Sequence, residues 1–151
     1  MIGFKQMDDE YLLKEIAFIP LNKNGDPVVY LFKKPYPWRR LSDEMKADNI
    51  QLKHSHGIAW NTDGLDYSEV ANVLHENLQD ATKIFVLSEF KRKWLLRFKF
   101  SAHNIHHYGY PSNSSFKCVT ICTNHNPIYK TVCALHNVKL MKLFYLSHIH
   151  L

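Results

Sequence analysis

The stretch that decides the fold runs from His54 to Leu95 and reads HSHGIAWNTDGLDYSEVANVLHENLQDATKIFVLSEFKRKWL. It opens on a turn, after which apolar residues recur at helical spacing from Tyr67 to Leu78, a pattern typical of an amphipathic helix. The apolar run from Lys83 to Leu87 predicts a strand that is buried on both faces. Ser88 is a suitable N-cap for a second helix. The stretch therefore predicts a turn, a helix, a buried strand and another helix.

The segment before this stretch predicts an antiparallel meander of two or three strands. Leu12 to Leu21 and Val28 to Phe32 are mostly apolar, and the Asn-Gly step in NKNGDP between them is a strong hairpin signal. Ile2 to Phe4 is shorter than the usual strand of about 5–6 residues, so we expect a truncated first strand. Ser42 is predicted to cap a short helix that ends at Asp48.

After the central stretch, the polar segment from Ser101 to Ser115 predicts a loop, and Phe116 to Cys122 predicts a strand. Apolar residues at helical spacing predict a last long helix from Tyr129 to Tyr145. Strands and helices in this order favour a three-layer α/β domain with a mixed sheet. The predicted limits are one domain at residues 1–146 and a tail at residues 147–151.

Charge and cysteine content limit the function classes. The formal charge of +5 and the pI of about 9.1 permit an acidic partner without requiring one. Three cysteines argue against a disulfide framework and for a reducing compartment. No apolar run approaches the ~20 residues that span a membrane, and the N-terminal segment lacks a signal-peptide pattern. We therefore expect a cytoplasmic or nuclear protein with no membrane contact.

Several short motifs resemble, in order, those of a known enzyme family. LLKEIAF (Leu12 to Phe18) is followed by the turn His56-Gly57-Ile58, the helix SEVANVLHENL, the segment VLSEFKRKWL (Val86 to Leu95) and VCALHNV (Val132 to Val138). The series is similar to the DEDD-type 3′–5′ exonucleases, including the bacterial proofreading subunit. A weaker likeness links the last motif to invertebrate and viral proteins with a similar pattern. The resemblance implies an α/β, ribonuclease-H-like three-layer domain with a mixed central sheet.

The resemblance also implies a catalytic site that this sequence lacks. Such hydrolysis uses two divalent ions about 3.5–4 Å apart, held by carboxylates, with a histidine as general base. The positions that match the family's site residues hold Ile2, Lys91, Val132 and Asn137, and a lysine ammonium repels a metal ion. We therefore expect no catalytic residues, no magnesium or manganese, and an inactive exonuclease-like domain.

Basic and aromatic residues are interleaved in two segments, a composition suited to single-stranded nucleic acid because phosphates are neutralised while bases stack. The candidate nucleic-acid-binding residues are Trp38, Arg39, Arg40, Lys91, Arg92 and Lys93. The other interpretation places the aromatic rings in the core and the cations on a solvated helix face. The leading hypothesis is a binding or scaffold module for single-stranded nucleic acid, with RNA as first choice. The alternatives are a structural domain or one that binds an unknown protein partner, and an active exonuclease with relocated ligands.

Two Cys-x-x-His pairs form a candidate zinc site. They consist of Cys122 with His125 and Cys133 with His136, and thiolate and imidazole are good zinc ligands. The alternative is that the thiols are buried for packing and the histidines lie at the surface. The run Asp8-Asp9-Glu10 has the Asp-x-Glu spacing of the family's first motif, but its position predicts a solvated acidic turn.

Overall fold

The structure is a computed structural model that describes residues 1–6, 10–22, 24–111, 124–125 and 133–149. These residues form a three-stranded antiparallel sheet, a two-stranded parallel sheet and four α-helices. The strands are β1 (Ile2–Lys5), β2 (Tyr11–Phe18), β3 (Val28–Leu31), β4 (Phe85–Val86) and β5 (His103–Asn104). The helices are α1 (Asp43–His56), α2 (Val70–Leu78), α3 (Glu89–Leu96) and α4 (Ala134–Phe144).

The predicted N-terminal meander is confirmed as a sheet in the order β1-β2-β3. The Gly25 N–H donates to the Asn22 carbonyl at 3.3 Å, so the chain turns within the predicted connection before β3. β1 pairs with β2 only from Lys5 opposite Tyr11 to Ile2 opposite Glu15. Strand β2 is buried from Leu12 to Ala17, so its charged residues lie inside the protein.

Helix α1 is longer than predicted. It begins at a cap in which Ser42 Oγ accepts from the Met45 N–H at 3.2 Å and ends where Gly57 adopts the left-handed conformation at φ 69°. The prediction that it ends at Asp48 is wrong because no residue before Gly57 interrupts the backbone. Asn49 anchors the extension, since its side-chain amide accepts from the Lys5 N–H at 2.8 Å and donates to the Lys5 carbonyl at 2.7 Å.

The central stretch folds in the predicted order of helix, strand and helix, preceded by a 3-10 turn at Tyr67–Glu69. The buried strand is shorter than predicted, because only β4 pairs, in parallel, with β5. The prediction of a loop from Ser101 to Ser115 is partly wrong, because β5 and the 3-10 turn Ile105–Tyr108 lie within it. The polar sequence of β5 gives no strand signal. The strand forms because its backbone pairs with residues distant in sequence, such as Ile84, whose carbonyl accepts from the His103 N–H at 2.8 Å.

The largest apolar cluster lies between β2 and the helices α2 and α3. Its members share low exposure and helical or alternating spacing, as burial of one face requires. They are Leu13, Ile16, Phe32, Val70, Val73, Leu74, Leu78, Val86, Trp94, Leu95 and Ala102. Helix α4 packs on β2 as well, so β2 is covered by helices of two different regions of the chain.

The described residues have mixed α/β content in two separate sheets, and the single mixed sheet of a ribonuclease-H-like domain stays a prediction. The strand predicted from Phe116 to Cys122 lies outside the described residues. So does the start of the last predicted helix, which is described from Ala134 onward. The chain continues past the predicted domain limit at residue 146 as a π-helical turn, Tyr145–Ile149. Ile149 of this turn packs on the apolar cluster around Met141.

Lys14 is fully buried in β2 and joins three segments of backbone. Its ammonium donates to the carbonyls of Phe32 at 2.6 Å, Trp60 at 3.2 Å and Thr62 at 3.0 Å. Each of its three N–H groups therefore has an acceptor, as a buried cation requires. Burial and, to a smaller extent, the charge of Lys34 lower the pKa of Lys14 to about 8.

The lowered pKa of Lys14 predicts a pH dependence of stability. Since its ordinary pKa is 10.5, the folded protein releases the Lys14 proton at a lower pH than the unfolded chain does. The contribution of Lys14 to the free energy of unfolding should therefore rise with pH between these two pKa values. We expect urea unfolding to show the wild type gaining stability relative to Lys14→Met between about pH 8 and about pH 10. A constant or shrinking difference would contradict this assignment.

Candidate functional site

Glu15 is a fully buried carboxylate in the middle of β2. Its Oε1 accepts from His125 Nε2 at 3.0 Å and from the Ala134 N–H at 3.1 Å, and its Oε2 accepts from Asn124 Nδ2 at 3.0 Å. Burial alone would raise the pKa of Glu15, but the hydrogen bonds from His125, Asn124 and Ala134 lower it to about 2. Glu15 is therefore an ionised group inside the protein.

His125 provides the charge that balances Glu15. Its Nδ1 faces the His56 carbonyl oxygen and its Nε2 faces Glu15. A histidine with an acceptor at each ring nitrogen satisfies both of them only when it is doubly protonated. Burial lowers the pKa of His125, but hydrogen bonds with Cys133, Glu15 and the His56 carbonyl raise it to about 10. The pair is a buried imidazolium–carboxylate ion pair.

Cys133 completes this cluster from the N-cap position of α4. Its side chain is buried, with 1% of the residue exposed, and it hydrogen bonds with His125. One ligand atom from each of Glu15, His125 and Cys133 lies within 4.8 Å of the other two. Carboxylate oxygen, imidazole nitrogen and sulfur are donors that zinc accepts, so this cluster could hold a metal ion.

The candidate zinc residues from the sequence are only partly brought together. His125 and Cys133 meet, Cys122 lies outside the described residues, and the half-buried His136 is not part of the cluster. Glu15 was not among the predicted ligands. Its signal in the sequence is a carboxylate inside the apolar run LLKEIAF, because a charged residue in a buried strand needs a partner.

Lys91 and Asn137 line one cavity, of about 790 Å³, between β2, β4, α3 and α4. These are two of the four positions at which the exonuclease resemblance places site residues. Ile2 is buried in β1, and Val132 lies outside the described residues. Burial lowers the pKa of the half-buried Lys91, and no ion pair within the described part of the chain involves it.

The described residues do not fit a two-metal hydrolytic site. Lys91 and Asn137 provide an ammonium and an amide where hard divalent cations need carboxylates. Across the described ranges, the only group of three close metal-binding side chains contains the single carboxylate of Glu15. Glu10, from the acidic run, pairs with Arg97 at 3.2 Å on the surface, and Asp8 and Asp9 lie outside the described residues.

The predicted basic and aromatic residues differ in how free they are to bind a ligand. Arg92 is paired with Glu89 on the same helix at 2.5 Å, while Lys93 is exposed beside it. Trp38 is half-buried and packs edge-on against Trp60, with ring centroids 5.6 Å apart. Arg39 and Arg40 are exposed on the 3-10 turn that contains Trp38. Arg39, Arg40 and Lys93 are therefore more accessible than the indole ring of Trp38.

Comparison with known proteins yields no match to a family model, to a curated protein or to a solved structure. In the described part of the chain, no helix is both long enough and apolar enough to cross a membrane. The exonuclease resemblance stays a prediction.

The buried ion pair predicts a large effect of Glu15→Ala. The substitution leaves His125 as an unpaired buried cation, so we expect the free energy of unfolding to fall by ~3–5 kcal/mol. Glu10→Ala is the matched control, because it removes an exposed pair worth about 0–1 kcal/mol. Urea unfolding monitored by circular dichroism measures both values. Similar losses in the two variants would show that the Glu15 pair has no special role in stability.

Proposed function

We propose that this chain is a catalytically inactive, exonuclease-like module that binds single-stranded nucleic acid, with RNA as first choice. The observation that carries the proposal is that Lys91 and Asn137 line the same cavity. They come from α3 and α4, two elements that are distant in sequence. Both occupy positions where the resemblance implies metal-binding aspartates. A lysine in place of a metal-binding aspartate would attract a phosphate without the metal.

The cavity has the size and the surface that a nucleotide needs. Its volume of about 790 Å³ falls within the roughly 300–1,000 Å³ typical of ligand sites. Apolar side chains such as Ile16, Leu95 and Met141 line it and provide a surface for a base. The Lys91 ammonium would bind a phosphate oxygen through a charge-assisted hydrogen bond, and the Asn137 amide would supply a neutral donor.

The position of Lys91 matters more than the overall charge of the cavity. Three lysines and two aspartates line the wall: Lys83, Lys91, Lys142, Asp26 and Asp80. Lys142 already donates to the Gly25 carbonyl at 3.1 Å. Lys91 has no ion-pair partner within the described residues, so a phosphate would supply the missing countercharge. The exposed Arg39, Arg40 and Lys93 would add attraction that falls with salt.

Charge reversal at Lys91 tests the proposal. We expect Lys91→Glu to weaken binding of a labelled single-stranded RNA by about tenfold or more, equivalent to ~1.4 kcal/mol. The slope of the logarithm of affinity against the logarithm of salt should fall by about 0.7 per lost phosphate contact. Lys139→Glu is the matched control, because Lys139 is exposed on α4 and does not line the cavity. Fluorescence anisotropy over a salt series measures both quantities.

Two results would contradict the proposal. The first is the absence of oligonucleotide binding by the folded wild type at low salt. The second is equal weakening by Lys91→Glu and Lys139→Glu, which would assign binding to general charge rather than to the cavity. The same oligonucleotides incubated with magnesium or manganese test the remaining alternative, an active exonuclease with relocated ligands.

A second candidate is a structural or protein-binding domain that is stabilised by zinc and has no nucleic-acid role. The buried Glu15, His125 and Cys133 cluster favours it, because these donors suit a zinc ion and lie where two distant parts of the chain meet. Absence of RNA binding together with a stoichiometric structural metal would favour this second candidate over the first.

A further inference from the structure

We infer that Glu15, His125 and Cys133 form a zinc site that joins β2 to the start of α4. In this site the Glu15 carboxylate takes the place of His136, the histidine of the second Cys-x-x-His pair. The inference goes beyond nucleic-acid binding and does not depend on it. The positions of the donor atoms identify these three side chains as the metal ligands.

The spacing of the donor atoms is close to what zinc requires. Bond lengths of about 2.0–2.3 Å in a tetrahedral site place neighbouring ligand atoms roughly 3.3–3.8 Å apart. The three donors already lie within 4.8 Å of one another, and Glu15 Oε1 is 3.0 Å from His125 Nε2. Small side-chain rotations therefore suffice to bring all three atoms around one ion.

The groups around the donors orient them for a metal. His125 Nδ1 faces the His56 carbonyl oxygen, which places a proton on Nδ1 and turns Nε2 towards the cluster. This backbone contact is the usual second interaction of a zinc-bound histidine. Asn124 and the Ala134 N–H hold the Glu15 carboxylate, so its oxygen atoms are fixed before any ion enters.

Charge and donor chemistry select the ion. When zinc displaces the Nε2 proton of the His125 imidazolium and the thiol proton of Cys133, the ion together with the Glu15 carboxylate, the thiolate and the neutral imidazole has a net charge of zero. This neutrality lowers the cost of burial. Sulfur and imidazole donors favour zinc over magnesium, calcium or manganese. Three protein ligands leave one position for a further donor. Structural zinc sites have four ligands, so a fourth donor beside these three buried residues would close the site.

A metal at this point would link parts of the chain that are far apart in sequence. Glu15 lies 110 residues before His125, and Cys133 immediately precedes α4, which packs on β2. Closing loops of this length removes conformational freedom from the unfolded chain. Metal binding and folding should therefore be coupled, and a chelator should destabilise the fold.

Metal analysis and cobalt substitution test the inference. After expression with added zinc, we expect about one zinc ion per chain by mass spectrometric metal analysis. Cobalt in place of zinc should give a near-ultraviolet thiolate-to-cobalt absorption band. That band should persist in the double variant Cys118→Ser/Cys122→Ser, in which Cys133 is the only thiol, and it should disappear in Cys133→Ser. His136→Ala is the matched control and should keep the metal.

Each of the other outcomes overturns the inference. These are a wild type that binds neither zinc nor cobalt, a band that survives in Cys133→Ser, and a band that is lost in the double variant or in His136→Ala. If Cys133→Ser does not fold, the double variant still decides whether Cys133 is a ligand. Lys91→Glu should leave the zinc content unchanged, because Lys91 is not one of the three donors. The zinc test can therefore succeed even if the nucleic-acid proposal fails.

Discussion

The fold depends on a carboxylate that is buried in its central strand. Glu15 sits in β2, which is covered by helices of two regions, and its charge has to be balanced inside the protein. The balance comes from His125 and from the first N–H of α4, about 110 residues later in the chain. The N-terminal meander therefore reaches its native surroundings only when the C-terminal part of the chain is in place.

Two buried charges of opposite sign lie next to each other in β2 and have different partners. The strand alternation points Lys14 and Glu15 to opposite faces. Lys14 donates to three backbone carbonyls and Glu15 accepts from side chains and a helix N-terminus. One residue holds the chain segment at Trp60 and Thr62, and the other holds α4. The two charged residues of β2 therefore hold the neighbouring chain segments in place on both faces of the strand.

The parts of the fold that local patterns determine could be predicted from the sequence. The meander, the helix at Val70–Leu78 and the helix after Ser88 all follow from spacing and caps. The length of α1 also follows from a local signal, because no residue interrupts the helix before Gly57. The existence of β5 could not be predicted, because it depends on His103 pairing beside Ile84. Of the predicted zinc ligands, His125 and Cys133 meet. Glu15 stands out as a carboxylate in an apolar run, but local pattern does not reveal its contact with His125 across 110 residues.

The contact between Asn49 and Lys5 has a consequence for self-association. An amide that accepts from the N–H and donates to the carbonyl of one residue imitates an adjacent strand. A strand from another copy that added at this end of β1 would first have to displace Asn49 and, with it, helix α1. Exposed sheet edges are common starting points for aggregation, and the Asn49 side chain protects the Lys5 end of this edge without a further strand.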